Sequence, residues 1–152
     1  MWRGPGIALL ALTLAASAIA QSGQIAFQTL PVPPNLNISD RHSDAVIRTE
    51  RDWNSWVGNL PEVVENLPAV DFEQYTLLVA NAGYKTNGPY EVKFDSVTDT
   101  GNLVRVHVSV TGPASCPAEP QAGHYVAMVI IPRTDKPVQF DVSTVNSGCR
   151  RV

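Results

Sequence analysis

Apolar residues occupy every second position in two neighbouring segments, 90–97 and 103–111, and polar residues lie between them. Strict alternation is typical of strands that turn one face to the core and the other to water. The connection between the two segments contains Gly101 and Asn102, which favour a turn. The pattern therefore predicts an antiparallel hairpin with one wet face.

Further strands follow from the same criterion. Segments 75–82 and 124–131 are apolar on both faces, as expected for strands in the middle of a sheet that is covered on each side. Segment 137–143 alternates again, and the short apolar segment 45–47 is a further candidate. Most of the connections are short, which favours a meander of antiparallel neighbours.

One helix is predicted between these strands. Apolar residues recur there at helical spacing, at Trp53, Trp56, Val57 and Leu60. Thr49 stands at the N-cap position, and Pro61 either ends the helix or kinks it. The expected fold is therefore α+β: a mainly antiparallel sheet of about five to seven strands in meander order, covered on one face by one amphipathic helix.

The N-terminal residues have the composition of a signal peptide, with Arg3 before an apolar run and small residues up to Ala20. We expect residues 1–20 to be removed by cleavage after Ala20, and the protein to be secreted or periplasmic. Residues 21–43 are rich in proline and are predicted to form an extended tether. Residues 44–152 are predicted to form one globular domain, since 152 residues suit one domain with a real core.

Charge and cysteine content narrow the classes of partner. The chain has 11 Lys+Arg and 14 Asp+Glu and a net charge of −3, without the basic surface that nucleic-acid binding requires. No apolar run reaches the ~20 residues of a membrane-spanning helix. In an exported chain Cys116 and Cys149 are predicted to form a disulfide, and two independent thiols are the alternative.

Alternating strand direction places two connections, Gly83–Pro89 and Gly112–Gly123, at one end of the sheet, which we call the loop end. Segment 137–143 also finishes there, which brings Cys149 towards Cys116. Irregular connections on a rigid sheet are common sites of binding. The alternative is a long loop that is merely held by its prolines and disulfide.

Support for catalysis is weak. His42 lies in the predicted tether and is interpreted as solvated, and His107 lies on the wet face of a strand. His124 is better placed beside the long loop, but no acidic residue lies near it in sequence. The two cysteines lack the grouping of a zinc site, and no nucleotide-binding glycine motif occurs. We predict no catalytic residue, no metal site and no cofactor.

Taken together, several segments resemble the C-terminal domain family of the protease-complex subunit PrcB. The resemblance covers residues 45–143 and is carried by Val46-Ile47-Arg48, Trp53, Trp56, Asp71-Phe72, Gly83, Asn87–Val92 and Tyr125–Pro132. Its most specific part is Asn87-Gly88-Pro89-Tyr90, which stands where the family usually has Thr-Gly-Gly-Tyr; Gly88 and Tyr90 match, and Asn87 and Pro89 depart. The resemblance implies a small exported or lipid-anchored domain that accompanies a protease and has no established catalytic residue.

We therefore predict an exported, non-catalytic protein-binding module that is accessory to an envelope or secreted protease. Its contact surface is predicted at the loop end, at Tyr84, Lys85, Thr86, Asn87, Gly88 and His124. The alternatives are a protease inhibitor-like domain, a small hydrolase that uses His124, or a purely structural envelope domain. The hydrolase requires a carboxylate within hydrogen-bond reach of His124.

Overall fold

A computed structural model of the chain describes residues 23–34, 36–113 and 122–145. These residues form β1 (Gly23–Gln24), β2 (Gln28–Leu30), β3 (Ser43–Ile47), α1 (Glu50–Gly58), β4 (Tyr75–Lys85), β5 (Glu91–Asp99), β6 (Val104–Thr111), β7 (Gly123–Pro132) and β8 (Val138–Val145). The predicted signal peptide and the predicted disulfide of Cys116 and Cys149 lie outside the described residues.

The strands form two four-stranded sheets. Sheet A has the order β1-β5-β6-β8, and sheet B has the order β2-β7-β4-β3. The predicted hairpin is present as the antiparallel pair β5–β6, and β6–β8 is the one parallel pair among the described strands. The α+β class, the antiparallel-rich strands and the single helix are confirmed. The meander order is wrong, because β4 pairs with β3 and β7 and not with β5.

The division into two sheets follows from how many apolar faces of each strand must be buried. β4 and β7 are apolar on both faces and lie in the centre of sheet B, between sheet A and a layer that contains α1. β5 and β6 are apolar on one face only, so they join sheet A, whose outer face meets water. A single meander sheet under one helix would leave one face of β4 and β7 exposed.

Two hydrophobic clusters hold these layers together. The first lies between the sheets and includes Leu78 of β4, Phe94 of β5, Val106 of β6 and Val129 of β7. The second lies between sheet B and α1 and is built on Leu36, Ile47, Leu77, Val79 and Met128. Each fully buried aliphatic side chain of this size contributes about 1.5–3 kcal/mol relative to exposure. The layers are therefore held mainly by apolar burial.

Helix α1 begins and packs as its sequence predicts. The N–H of Asp52 donates to Thr49 Oγ1 at 3.1 Å, which caps the first turn. The indole rings of Trp53 and Trp56 stack with centroids 5.3 Å apart, and both side chains pack against the second cluster. The helix ends at Gly58, before Pro61.

The described part of the segment predicted as a tether, 21–43, is extended but packed against the domain. β1 pairs with β5 and β2 pairs with β7, so the segment crosses from an edge of sheet A to an edge of sheet B. Ile25 and Phe27 pack against the cluster between the sheets, and Leu36 is buried in the other. Proline disfavours helix here, but it does not prevent an extended segment from burying its apolar side chains.

Candidate functional site

The loop end exists as alternating direction predicts. Tyr84 lies opposite His124 and Lys85 lies opposite Gly123 in the β4–β7 pair. In sheet A, Thr111 lies opposite Val145, so β6 and β8 finish side by side. The connection Gly83–Pro89 and the described ends of the 112–123 connection therefore lie at one end of the domain.

Asn81 interrupts the apolar run of β4 and anchors the segment before β3. Its side chain is fully buried, and its Nδ2 donates to the backbone oxygens of Ser39 and Arg41 at 3.1 and 3.0 Å and to Ser43 Oγ at 3.1 Å. Its Oδ1 accepts from the N–H of Gly83 at 3.0 Å. A buried amide with both ends satisfied fixes the conformation of 39–43.

Gly83 lets the same segment approach the backbone of β4. Its φ is 79°, and a Cβ at this position would lie 2.5 Å from the carbonyl oxygen of Asp40. That oxygen accepts a hydrogen bond from the N–H of Tyr84 at 3.0 Å. Only glycine has room for this contact and the conformational freedom for this φ.

These contacts bring Asp40 to His124. His124 Nε2 lies 3.0 Å from Asp40 Oδ1, and the ring of Tyr84 lies 5.2 Å from the imidazole between centroids. The side chain of His124 is 14% exposed, whereas that of Asp40 is 81% exposed. The carboxylate that the sequence did not locate is 84 residues away along the chain. A buried asparagine and a glycine in an otherwise apolar strand are the signals that point to it.

The other residues predicted for the surface divide into two groups. Thr86 and Asn87 are exposed, but Gly88 is buried and is joined to Pro89 by a cis peptide bond. Lys85 Nζ lies 5.6 Å from the centre of the Tyr90 ring. The structure therefore brings Tyr84 and His124 together with Asp40, and it places Lys85 against Tyr90.

The other two histidines also have carboxylate neighbours. His42 Nε2 lies 3.1 Å from Asp44 Oδ2. Burial raises the pKa of Asp44 above its ordinary value of 3.8, while His42 acts in the opposite direction. His42 is exposed as predicted, although β3 begins at the next residue. His107 lies on the wet face of sheet A, 4.0 Å from Asp141.

At the opposite end of β4 lies a cleft of about 310 Å³, lined by Arg48, Thr49, Glu50, Val70, Asp71, Phe72, Glu73 and Arg133. The guanidinium of Arg48 donates to the carbonyl oxygens of Thr134 and Lys136 at 3.0 and 2.8 Å, so it has a structural role. Within the described ranges no three His, Cys, Asp or Glu side chains are grouped to hold a metal. No helix in the same ranges has the length and apolar character to cross a membrane.

Comparison with known protein families finds no family that matches this chain, and no curated protein and no solved structure matches it either. The function is therefore inferred from the residues at the loop end.

Proposed function

We propose that this protein is an exported binding module that contacts a protein partner through the loop end and has no catalytic activity of its own. The observation that most supports this proposal is that, in the Asp40–His124 pair, the carboxylate is more exposed to solvent than the imidazole. In a Ser/His/Asp arrangement the acid is buried and the histidine faces the substrate. Here the imidazole is mostly covered and the carboxylate faces solvent.

This order suits recognition better than proton transfer. The hydrogen bond from His124 Nε2 reaches one oxygen of Asp40, and the other oxygen has no hydrogen-bond partner among the described residues. The imidazole thus holds the carboxylate in one position at the surface. A carboxylate held in this way is ready to accept a hydrogen bond from a partner.

Tyr84 supplies the aromatic centre of the proposed surface. Tyr84 is 46% exposed, and its ring lies beside that of His124. Asp40, Arg41 and Thr86 are exposed and form a polar rim of mixed charge. An exposed tyrosine surrounded by polar groups is typical of the residues that contribute most to protein–protein binding.

The surface is also held rigid before any partner binds. Asn81 and Gly83 fix the segment that carries Asp40, and β4 and β7 carry Tyr84 and His124. A preorganised surface loses less conformational entropy on binding than a loop that must first be ordered.

A peptidase is the partner that we propose. The resemblance of residues 45–143 to the PrcB C-terminal domain family supports this choice, and the composition of residues 1–20 supports export. The peptidase partner and the export of the chain are therefore parts of this proposal.

A cross-linking amino acid at position 84 tests the surface directly. We expect illumination in the native envelope to join it to one discrete partner, whereas the same amino acid at the 98% exposed Val63 yields no such product. With that partner purified, Tyr84→Ala should raise Kd at least about tenfold, and Val63→Ala should leave it unchanged. Equal cross-linking from both positions would reject the loop end as the contact surface. A partner that lacks peptidase activity would reject the proposed association with a peptidase but would leave the contact surface supported.

A small hydrolase remains the second candidate, because the carboxylate that it requires is present at 3.0 Å from His124. Purified protein is assayed with nitrophenyl esters and unfolded peptides. Turnover that disappears in His124→Gln but survives in His42→Gln would establish hydrolysis and reject the non-catalytic proposal. An inhibitor-like role predicts instead that the wild-type protein slows at least one member of a protease panel.

A further inference from the structure

The two sheets have four edge strands, and three of these strands have features that oppose pairing with another strand. β1 and β2 contain two and three residues, and the part of β5 that lies beyond β1 has a bulge between Phe94 and Ser96. β3 carries Asp44, which shares the face of Val46 that packs between the sheets. Short edge strands and inward-pointing charges are features that prevent edge pairing.

The fourth edge, β8, lacks these features. It pairs with β6 over all eight residues, from Val138 to Val145, without a bulge. It contains no Lys, Arg or Pro, and its one charged residue, Asp141, is paired with Arg105 at 3.4 Å. Val142 faces the core side of the sheet and is still 37% exposed. No described strand covers the free side of β8.

The hydrogen bonds at the two ends of the β6–β8 pair show which backbone groups of β8 are free. The N–H of Val104 donates to the carbonyl of Pro137 at 2.8 Å, and the N–H of Gly112 donates to the carbonyl of Val145 at 2.9 Å. In a parallel pair, alternate residues turn their N–H and C=O to the partner strand. The odd-numbered residues of β8 therefore bond to β6. Phe140, Val142 and Thr144 present their N–H and C=O at the free edge.

We propose that β8 pairs antiparallel with β8 of a second copy of this chain, about a two-fold axis at Val142. In this register Val142 lies opposite itself and Phe140 lies opposite Thr144. These residues all have outward backbone groups, so the pairs form about six new hydrogen bonds. The two sheets A become one continuous sheet, and the partly exposed Val142 side chains cover each other. The interface is isologous, as in most homodimers.

Neighbouring registers are less favourable. A two-fold axis at Asp141 places the two Asp141 carboxylates directly opposite each other, and like charges in that position destabilise a sheet. An axis at Phe140 avoids this repulsion but pairs fewer residues of β8. The axis at Val142 is the one that places Asp141 opposite Ser143 and still uses nearly the whole strand.

Sedimentation of the purified chain, with Val142→Lys and the matched control Val63→Lys, tests the proposal. We expect a dimer at about 100 μM, a dissociation constant at least about tenfold higher in Val142→Lys, and no change in Val63→Lys. Thermal unfolding confirms that both variants fold, since a lysine at a partly exposed edge position can extend its charge to water. A monomeric wild-type chain would overturn the proposal and leave the edge to a strand of a different protein.

Amide hydrogen exchange of the wild-type chain gives a second measurement that needs no variant. On raising the concentration, exchange should slow at the amides of Phe140, Val142 and Thr144. It should stay slow and unchanged at Asp141 and Ser143, whose N–H groups already bond to β6. A dimer in which the outward amides exchange equally fast at all concentrations uses another surface and would overturn the proposal. Neither measurement depends on the loop end.

Discussion

Replacing Gly83 by alanine tests the contact on which the loop end is built. A left-handed φ of 79° costs a non-glycine residue about 1–2 kcal/mol. The added Cβ lies 2.5 Å from the carbonyl oxygen of Asp40 and 2.9 Å from the carbonyl carbon of Arg41. Both atoms belong to the backbone, so the segment must move as a whole. Such overpacking costs about 1–3 kcal/mol, and loss of the Tyr84–Asp40 backbone hydrogen bond costs about 0.5–1.5 kcal/mol more.

We therefore expect Gly83→Ala to lower the free energy of unfolding by about 2.5–6.5 kcal/mol, out of a total that is about 5–15 kcal/mol for most domains. Guanidinium unfolding, followed by the fluorescence of Trp53 and Trp56 in α1, measures the change. Gly101→Ala is the matched control, because Gly101 has a φ of 95° and an added Cβ there meets no atom within 4 Å. It should lose only the conformational cost of about 1–2 kcal/mol. Equal losses in the two variants would refute the close approach of Asp40 to β4.

Three further predictions concern burial and charge. Asn81→Ala removes the amide that satisfies two backbone carbonyls and should cost about 2–4 kcal/mol in the same unfolding assay, and a loss under 1 kcal/mol would contradict its anchoring role. Leu36→Ala should lower the free energy of unfolding by about 2–5 kcal/mol, since Leu36 is buried against sheet B. An unchanged free energy of unfolding would mean that its segment is a tether that does not stabilise the domain. The Lys136 ammonium and the N–H of Gly101 hold the pKa of Asp99 below its ordinary 3.8. A lowered pKa stabilises the fold above pH 3.8, and this stabilisation is lost as the pH falls through the lower folded-state value. The wild-type protein should therefore be more stable than Asp99→Asn at pH 7, and this difference in stability should disappear in acid. A difference that grows in acid would refute the lowered pKa of Asp99.

Local pattern was enough to locate β3 to β8 and the helix, but it did not locate β1 and β2 in the segment predicted as a tether. The predicted segments 75–82 and 103–111 correspond to β4 and β6 within a few residues, because alternation and two-sided apolarity are properties of consecutive residues. The short connection between β4 and β5 suggested that they pair, yet it passes from one sheet to the other. Connection length limits how far apart two strands lie, but it does not choose between a neighbour in the same sheet and one in the facing sheet.

The candidate site was predicted in the same partial way. His124 and Tyr84 were placed at the loop end by strand direction, and they lie opposite each other in the β4–β7 pair. Asp40 was not predicted, because it belongs to a segment interpreted as a tether. The position of Asp40 depends on the amide of Asn81 and on the absence of a side chain at Gly83. Both residues contact a segment about 40 residues away, and a local sequence pattern does not reveal such contacts.

By itself, the order of apolar and polar residues determined that the segments of β3 to β8 become strands, which of their faces are dry and which of their ends lie together. Each of these features depends on residues within one segment or on counting reversals of chain direction. The tertiary structure alone decided that the strands form two sheets, that β8 lies at an edge among the described strands of sheet A, and that Asp40 meets His124. These features depend on contacts between segments that are distant in sequence, and the local pattern allows several arrangements equally. The need to bury both apolar faces of β4 and β7 selects the two sheets. The hydrogen bonds of the buried Asn81 amide select the position of Asp40.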